Sequence, residues 1–94
     1  MRDDDVAHIF ARNLKRCRRL MHMSQAQVAA RADLHHTEIS MLERAIREPR
    51  LSTLVKLLAS LEVEPEELLR DIEWLPGSAR FGAFRVETPL KPDE

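Results

Sequence analysis

The sequence predicts an all-α fold of five helices followed by a short extended tail. Two observations carry this prediction: apolar residues recur at helical spacing over about the first 70 residues, and helix-capping residues stand near the start of each run. A chain of 94 residues supports one small domain and no second core beside it. We therefore expect a helical domain over residues 5–73 and a tail over residues 74–94 with a disordered end.

The first two helices are indicated by an apolar face and by a capping box. A first helix over about 5–21 is predicted by residues at spacings of four, three and four, namely Phe10, Leu14, Cys17 and Met21. Ser24 and Gln27 then open a second helix, because each side chain can bond to the other's backbone amide. Cys17 is the only cysteine, so we expect a buried helix residue and no internal disulfide.

A third helix follows a turn at residues 33–34, with His35 as its cap. Ile39 and Leu42 lie three apart on its inner face, which leaves polar residues on the other face. Pro49 ends this region, because the residue before a proline is displaced from the helical conformation.

Two further helices complete the domain. Ser52 or Thr53 is the expected cap of a fourth helix, which carries four leucines at helical spacing. Pro65 stands in the first turn of a fifth helix, where its missing amide hydrogen does no harm. The expected fold is therefore complete before the tail begins.

The tail holds three of the four aromatic residues of the chain. Residues 81–87 alternate loosely, as an extended strand would, and we expect this strand to pair with a partner chain. Dimerisation is predicted through five apolar tail residues: Trp74, Leu75, Phe81, Phe84 and Val86. The alternative is that Trp74 and Phe84 fold back to cover their own core.

Charge is distributed unevenly along the chain. The formal net charge is −1, whereas a protein that binds nucleic acid is usually basic. Residues 1–50 hold ten Lys and Arg against seven Asp and Glu, and residues 51–94 hold five against nine. The first half is therefore the basic part. No apolar run approaches the length of a membrane span, so we expect a cytoplasmic protein.

Several short motifs stand in a fixed order through the five predicted helices. They are Leu14-Lys15-x-x-Arg18, Met23 to Ala29, Ile39-Ser40-Met41-Leu42-Glu43-Arg44, Arg47-Glu48-Pro49 and Leu54 to Leu61. This order resembles the Xre/Cro-like helix-turn-helix family of bacterial and phage repressors over about 10–69, and implies the lambda-repressor-like fold. His22, Asp33 and Ala45 stand where the family commonly has glycine. Ala45 disfavours a left-handed stop after Arg44, so we expect the third helix to continue by part of a turn.

The resemblance implies that the third helix enters the major groove of DNA. The residues that match base-facing positions are His36, Thr37, Ser40 and Met41. We expect His36 to donate to guanine or thymine acceptors, and Thr37 and Met41 to meet a thymine methyl. The candidate phosphate contacts are Gln25, Arg44, Arg47, Arg50 and Thr53, helped by the amides at the start of the second helix. Arg18 and Glu43 match a structural ion pair of the family.

The resemblance implies a transcription regulator, in this family most often a repressor, that binds double-stranded DNA as a homodimer on a palindromic operator. One alternative is an antitoxin that autoregulates its operon while its tail wraps a toxin. Another is a protein-interaction module that keeps the fold without binding DNA. Locally, Arg47 and Arg50 could be solvated loop charges and Met41 could be a core residue. We see no enzyme signature, and we expect no cofactor and no metal site.

Overall fold

The computed structural model describes residues 3–77 and 82–84, which form five helices and two short strands. The helices are α1 (Asp3–Leu20), α2 (Gln25–Ala32), α3 (His36–Glu43), α4 (Leu51–Leu61) and α5 (Pro65–Leu68). The strands are β1 (Trp74–Leu75) and β2 (Ala83–Phe84). This architecture confirms the predicted five-helix fold with a short extended tail. Within the described ranges, every helix is too short or too polar to cross a membrane.

The core takes apolar side chains from all five helices. Its buried members are Phe10, Leu14, Cys17, Val28, Ala29, Ala32, Ile39, Leu42, Leu57, Leu61 and Leu68. Burial raises the pKa of the Cys17 thiol, so Cys17 is a packing residue, as its place on the apolar face predicts. Helix α3 packs on both α1 and α2, α2 packs on α4, and α1 packs on α5. The third helix is therefore held on its inner side by two others.

The starts of α2 and α5 agree with the sequence prediction, and the start of α4 does not. The Ser24 hydroxyl accepts from the Gln27 amide at 3.0 Å and the Ser24 amide donates to Gln27 Oε1 at 2.7 Å, which confirms the capping box. Pro65 is the first residue of α5, as predicted. The predicted cap of α4 is wrong, because α4 starts at Leu51 and Thr53 is buried inside its first turn. Packing of Thr53 outweighs a cap bond worth about 1 kcal/mol.

Each of the first four helices ends at a residue with positive φ that is not glycine. These residues are His22, Asp33, Ala45 and Glu62, with φ between 54° and 60°. Ala45 donates to the Leu42 carbonyl at 3.1 Å and Ile46 donates to the Met41 carbonyl at 3.0 Å. These two bonds are those of a Schellman motif, so the expected continuation of α3 past Arg44 is wrong. The carbonyls at the helix end are satisfied at the expense of strain at Ala45.

Helix α5 is tied to α1 by a buried amide that the sequence analysis did not single out. Asn13 is fully buried, and its Nδ2 donates to the carbonyls of Leu68 at 2.9 Å and Arg70 at 2.8 Å. Arg16 donates to the Glu67 carbonyl at 2.7 Å. The short fifth helix, from which the tail departs, is thus fixed against α1.

The tail forms a hairpin with itself. Strands β1 and β2 are antiparallel, with Trp74 opposite Phe84 and Leu75 opposite Ala83. The Trp74 and Phe84 rings meet edge to face at 5.1 Å. The Ala83–Phe84 part of the predicted strand thus pairs with β1 of its own chain, and pairing with a partner chain stays a prediction. Neither ring joins the core cluster, and the other two predicted tail residues, Phe81 and Val86, lie outside the described residues.

Candidate DNA interface

Helix α3 has a buried face and a polar face. Ile39 and Leu42 are fully buried, which fixes the rotation of the helix on the core. The opposite side carries the four predicted base-contacting residues: His36 and Thr37 are exposed, and Ser40 and Met41 are half-buried. The first turns of α3 are therefore accessible, and the major groove of DNA is wide enough to admit a helix.

An ion pair joins the last turn of α3 to α1. Arg18 Nε donates to Glu43 Oε2 at 2.6 Å, and Arg18 Nη2 donates to Glu43 Oε1 at 2.8 Å. The side chains are only 13% and 3% exposed. The hydrogen bond to Glu43 raises the pKa of Arg18 above its ordinary value, so Arg18 stays charged. Its two parallel bonds fix the orientation of the carboxylate as well as its position.

Gln25, the first residue of α2, connects both ends of α3. Its Nε2 donates to Glu43 Oε1 at 3.2 Å, and its Oε1 lies 3.1 Å from His36 Nε2. A polar chain therefore runs from Arg18 through Glu43 and Gln25 to His36. The sequence analysis placed Gln25 only as a phosphate contact. Its spacing of 11 residues from His36 and 18 from Glu43 gave no local signal for these bonds.

Three arginines lie at and beyond the end of α3. Arg44, Arg47 and Arg50 are all exposed. Arg47 Nη2 lies 3.7 Å from the Met41 sulfur, which brings a predicted phosphate contact beside a predicted base contact. Thr53, the fifth predicted phosphate contact, is 5% exposed and offers little surface to a ligand. The basic surface beside α3 therefore comes from the three arginines, and Gln25 adds a neutral polar group.

Helix α4 carries an apolar pair that faces away from the core. Leu51 is 77% exposed and Val55 is 58% exposed, and both lie on one side of the helix because they are four residues apart. Ile46, in the connection from α3, is 53% exposed. We call Ile46, Leu51 and Val55 the α4 patch. These three residues were not singled out as a surface from the sequence.

Comparison with known proteins finds one matching family model and two similar control proteins. The helix-turn-helix family model matches residues 14–68. The control protein C.SmaI of Serratia marcescens is 37% identical over 65 residues, which are 69% of this chain and 77% of that protein. The control protein C.BamHI of Bacillus amyloliquefaciens is 42% identical over 48 residues, which are 51% of this chain and 59% of that protein.

Solved structures share the helical part of the fold. The restriction-modification controller protein C.AhdI from Aeromonas hydrophila matches with a TM-score of 0.64 and 29% identity, over 66% of this chain and 94% of its own. The C.Esp1396I tetramer in complex with its natural 35 base-pair operator matches with a TM-score of 0.61 and 25% identity, over 69% and 96%. The chain therefore belongs to the helix-turn-helix family, and it is a DNA-binding transcription regulator.

Proposed function

We propose that the protein acts as a homodimer that binds a palindromic operator by inserting α3 into the major groove of each half-site. One observation carries the proposal: the polar face of α3 is open, while its inner face is locked on the core and three exposed arginines follow it. In this proposal α3 supplies sequence recognition, and the arginines with Gln25 supply affinity through phosphates. The protein then acts in the cytoplasm by occupying DNA and catalyses no reaction.

We further propose that the regulated genes are those of a restriction-modification system. The support lies in the relatives, since two control proteins and two restriction-modification controllers resemble the chain over most of its helical part. An operator selected by the protein would then be found upstream of genes for a restriction enzyme and its methyltransferase.

Selection of bound duplexes from a random pool tests the proposal. We expect the wild-type protein to enrich a palindrome. Thr37→Ala should change the preferred base at one position of each half-site, because an exposed residue in the first turn of α3 meets a base edge. Arg44→Ala should weaken all sites alike, because a phosphate contact carries no sequence information.

The control for this experiment is Lys56→Ala, which removes an exposed cation of α4 that lies beside Ala32 and Asp33 at the end of α2. It should leave both the preferred sequence and the affinity close to wild type. Failure to enrich any sequence at low salt would overturn the proposed function. Enrichment of a sequence without two-fold symmetry would overturn the homodimer.

We place the contact between the two protomers on the α4 patch. Two half-sites lie about 34–36 Å apart on the DNA, so the contact that sets this spacing should be close to α3. Leu51 begins α4 at the end of the connection from α3, and the patch is apolar and uncovered by other described residues. The hairpin is less well placed, because it departs from α5, which packs on α1. Dimerisation through the five tail residues Trp74, Leu75, Phe81, Phe84 and Val86 stays a competing prediction.

Sedimentation of variants in the absence of DNA distinguishes a dimer contact at the α4 patch from one at the hairpin. The double change Leu51→Ser and Val55→Ser should raise the dimer dissociation constant by roughly a hundredfold or more. Each buried aliphatic side chain contributes about 1.5–3 kcal/mol, and a two-fold contact uses every residue twice. Leu69→Ser, which removes a leucine that is 38% exposed on the α5 side, is the matched control and should have little effect.

A hairpin variant completes the comparison. Trp74→Ala removes a side chain that is 53% exposed in β1 and should leave the dimer intact. If Trp74→Ala produces monomers and the α4 double variant does not, the contact lies on the hairpin and our placement is wrong.

A further inference from the structure

We propose that His36 is held with its proton on Nε2, so that its Nδ1 selects a base with an exocyclic amino group, adenine or cytosine. This inference rests on the proposed function, since it concerns what α3 contacts in the groove. It reverses the expectation that His36 donates to guanine or thymine.

The orientation of the Gln25 side-chain amide follows from its contact with Glu43. Glu43 is ion-paired with Arg18 through both carboxylate oxygens, so it is charged and can only accept hydrogen bonds. The Gln25 group 3.2 Å from Glu43 Oε1 must therefore be the amide nitrogen. The reverse orientation would set a carbonyl oxygen against a carboxylate oxygen, two acceptors with no hydrogen between them.

The orientation of Gln25 determines which ring nitrogen of His36 carries the proton. With its nitrogen turned to Glu43, Gln25 turns its oxygen to His36, and that oxygen can only accept. His36 Nε2, 3.1 Å away, must donate to it. In a neutral imidazole the other ring nitrogen is then an acceptor. Nδ1 of His36 has no hydrogen-bond partner among the residues that the structure describes.

With α3 in the major groove, this tautomer of His36 would face the edges of the bases. In the major groove, adenine presents the N6 amino donor and cytosine presents the N4 amino donor. Guanine O6 and thymine O4 are acceptors, and two acceptors face to face are unfavourable. An Nδ1 acceptor on α3 therefore favours adenine or cytosine. Gln25 keeps a second amide hydrogen beyond the one given to Glu43, so this arrangement is compatible with a phosphate contact by the same residue.

Gln25 is thus a positioning residue that acts through His36. Its test needs a signal that loss of a phosphate contact alone would not change. Long-range proton–nitrogen NMR at about pH 8, where an ordinary histidine is neutral, reports which ring nitrogen carries the proton. We expect a single Nε2–H form of His36 with a proton that exchanges more slowly than that of the exposed His35. Gln25→Met, similar in length but without an amide, should abolish this protection.

The decisive experiment is selection from a random duplex pool with the wild type and with His36→Ala. The position whose preference disappears in His36→Ala is the one that His36 contacts, and we expect adenine or cytosine there in the wild-type operator. Removing only the amino group at that position, with purine for adenine or 2-pyrimidinone for cytosine, should weaken wild-type binding roughly tenfold. The same duplex should bind His36→Ala as well as the unmodified one does.

The outcomes separate this inference from the function on which it rests. Guanine or thymine at the His36-dependent position, or an Nδ1–H form of His36, overturns the inference while the regulator remains. A palindrome whose every position survives His36→Ala does the same. Failure to enrich any sequence overturns the proposed function itself. Gln25→Met should relax the preference at the His36 position, whereas Arg47→Ala should only weaken binding.

Discussion

Replacing Glu43 with alanine is expected to lower the free energy of unfolding by about 3–5 kcal/mol. The change leaves the Arg18 guanidinium, only 13% exposed, without the carboxylate that accepts two of its hydrogen bonds. It also removes the acceptor for Gln25 Nε2. A small domain has about 5–15 kcal/mol in total, so the variant should lose a large share of its stability and unfold at a clearly lower urea concentration. Urea denaturation followed by circular dichroism measures the difference.

Two further variants show whether the loss comes from the buried pair. Glu48→Ala removes an exposed glutamate a few residues further along the chain and should change stability by less than about 0.5 kcal/mol. The double variant Arg18→Met with Glu43→Leu removes both charges and should be more stable than Glu43→Ala, because no uncompensated charge stays buried. If Glu43→Ala unfolds like Glu48→Ala, the pair does not hold α3 on α1.

Operator binding is expected to weaken about a thousandfold when the salt concentration rises from about 50 to 200 mM. Three exposed arginines in each protomer give about six phosphate contacts in a dimer, and each contact releases bound counterions from the DNA. The logarithm of the affinity should then fall with the logarithm of salt at a slope of about −5. Fluorescence anisotropy with a labelled operator measures the slope.

The phosphate contact of each arginine can be tested by the salt dependence of operator affinity as well as by the affinity itself. Arg44→Ala should make the slope less steep by about 2, one contact for each protomer. The self-association of the protein without DNA should hardly respond to salt over the same range, since the α4 patch is apolar. A slope near zero for operator binding would mean that the basic surface beside α3 does not touch the phosphates.

Features with a local or periodic signal were predictable from the sequence. The capping box at Ser24 and Gln27 needs only a four-residue window, and the buried face of α3 follows from the spacing of Ile39 and Leu42. The closeness of Arg18 and Glu43, which are 25 residues apart, was expected only because the chain resembles a known family. Periodicity alone gives no pairing between charges on different helices.

Features were not predictable from the sequence where tertiary packing opposes the local conformational preference of a residue. The start of α4 was misplaced because burial of Thr53 overrides the preference of serine and threonine for the capping position. The end of α3 was misplaced because two backbone hydrogen bonds hold Ala45 in a conformation that alanine disfavours. The role of Gln25 needs three elements in their final places, so no window of sequence contains it.

The left-handed conformation of Ala45 bears on how much of this protein a cell contains. Alanine lacks a polar side chain to compensate for its positive φ, which costs roughly 1 kcal/mol. Differences of about 1–2 kcal/mol change the cellular abundance of a marginally stable protein several-fold, because unfolded chains are degraded. Since the effect of a regulator depends on its concentration, substitution of Ala45 by glycine would raise its dosage while leaving every side chain on the DNA surface unchanged.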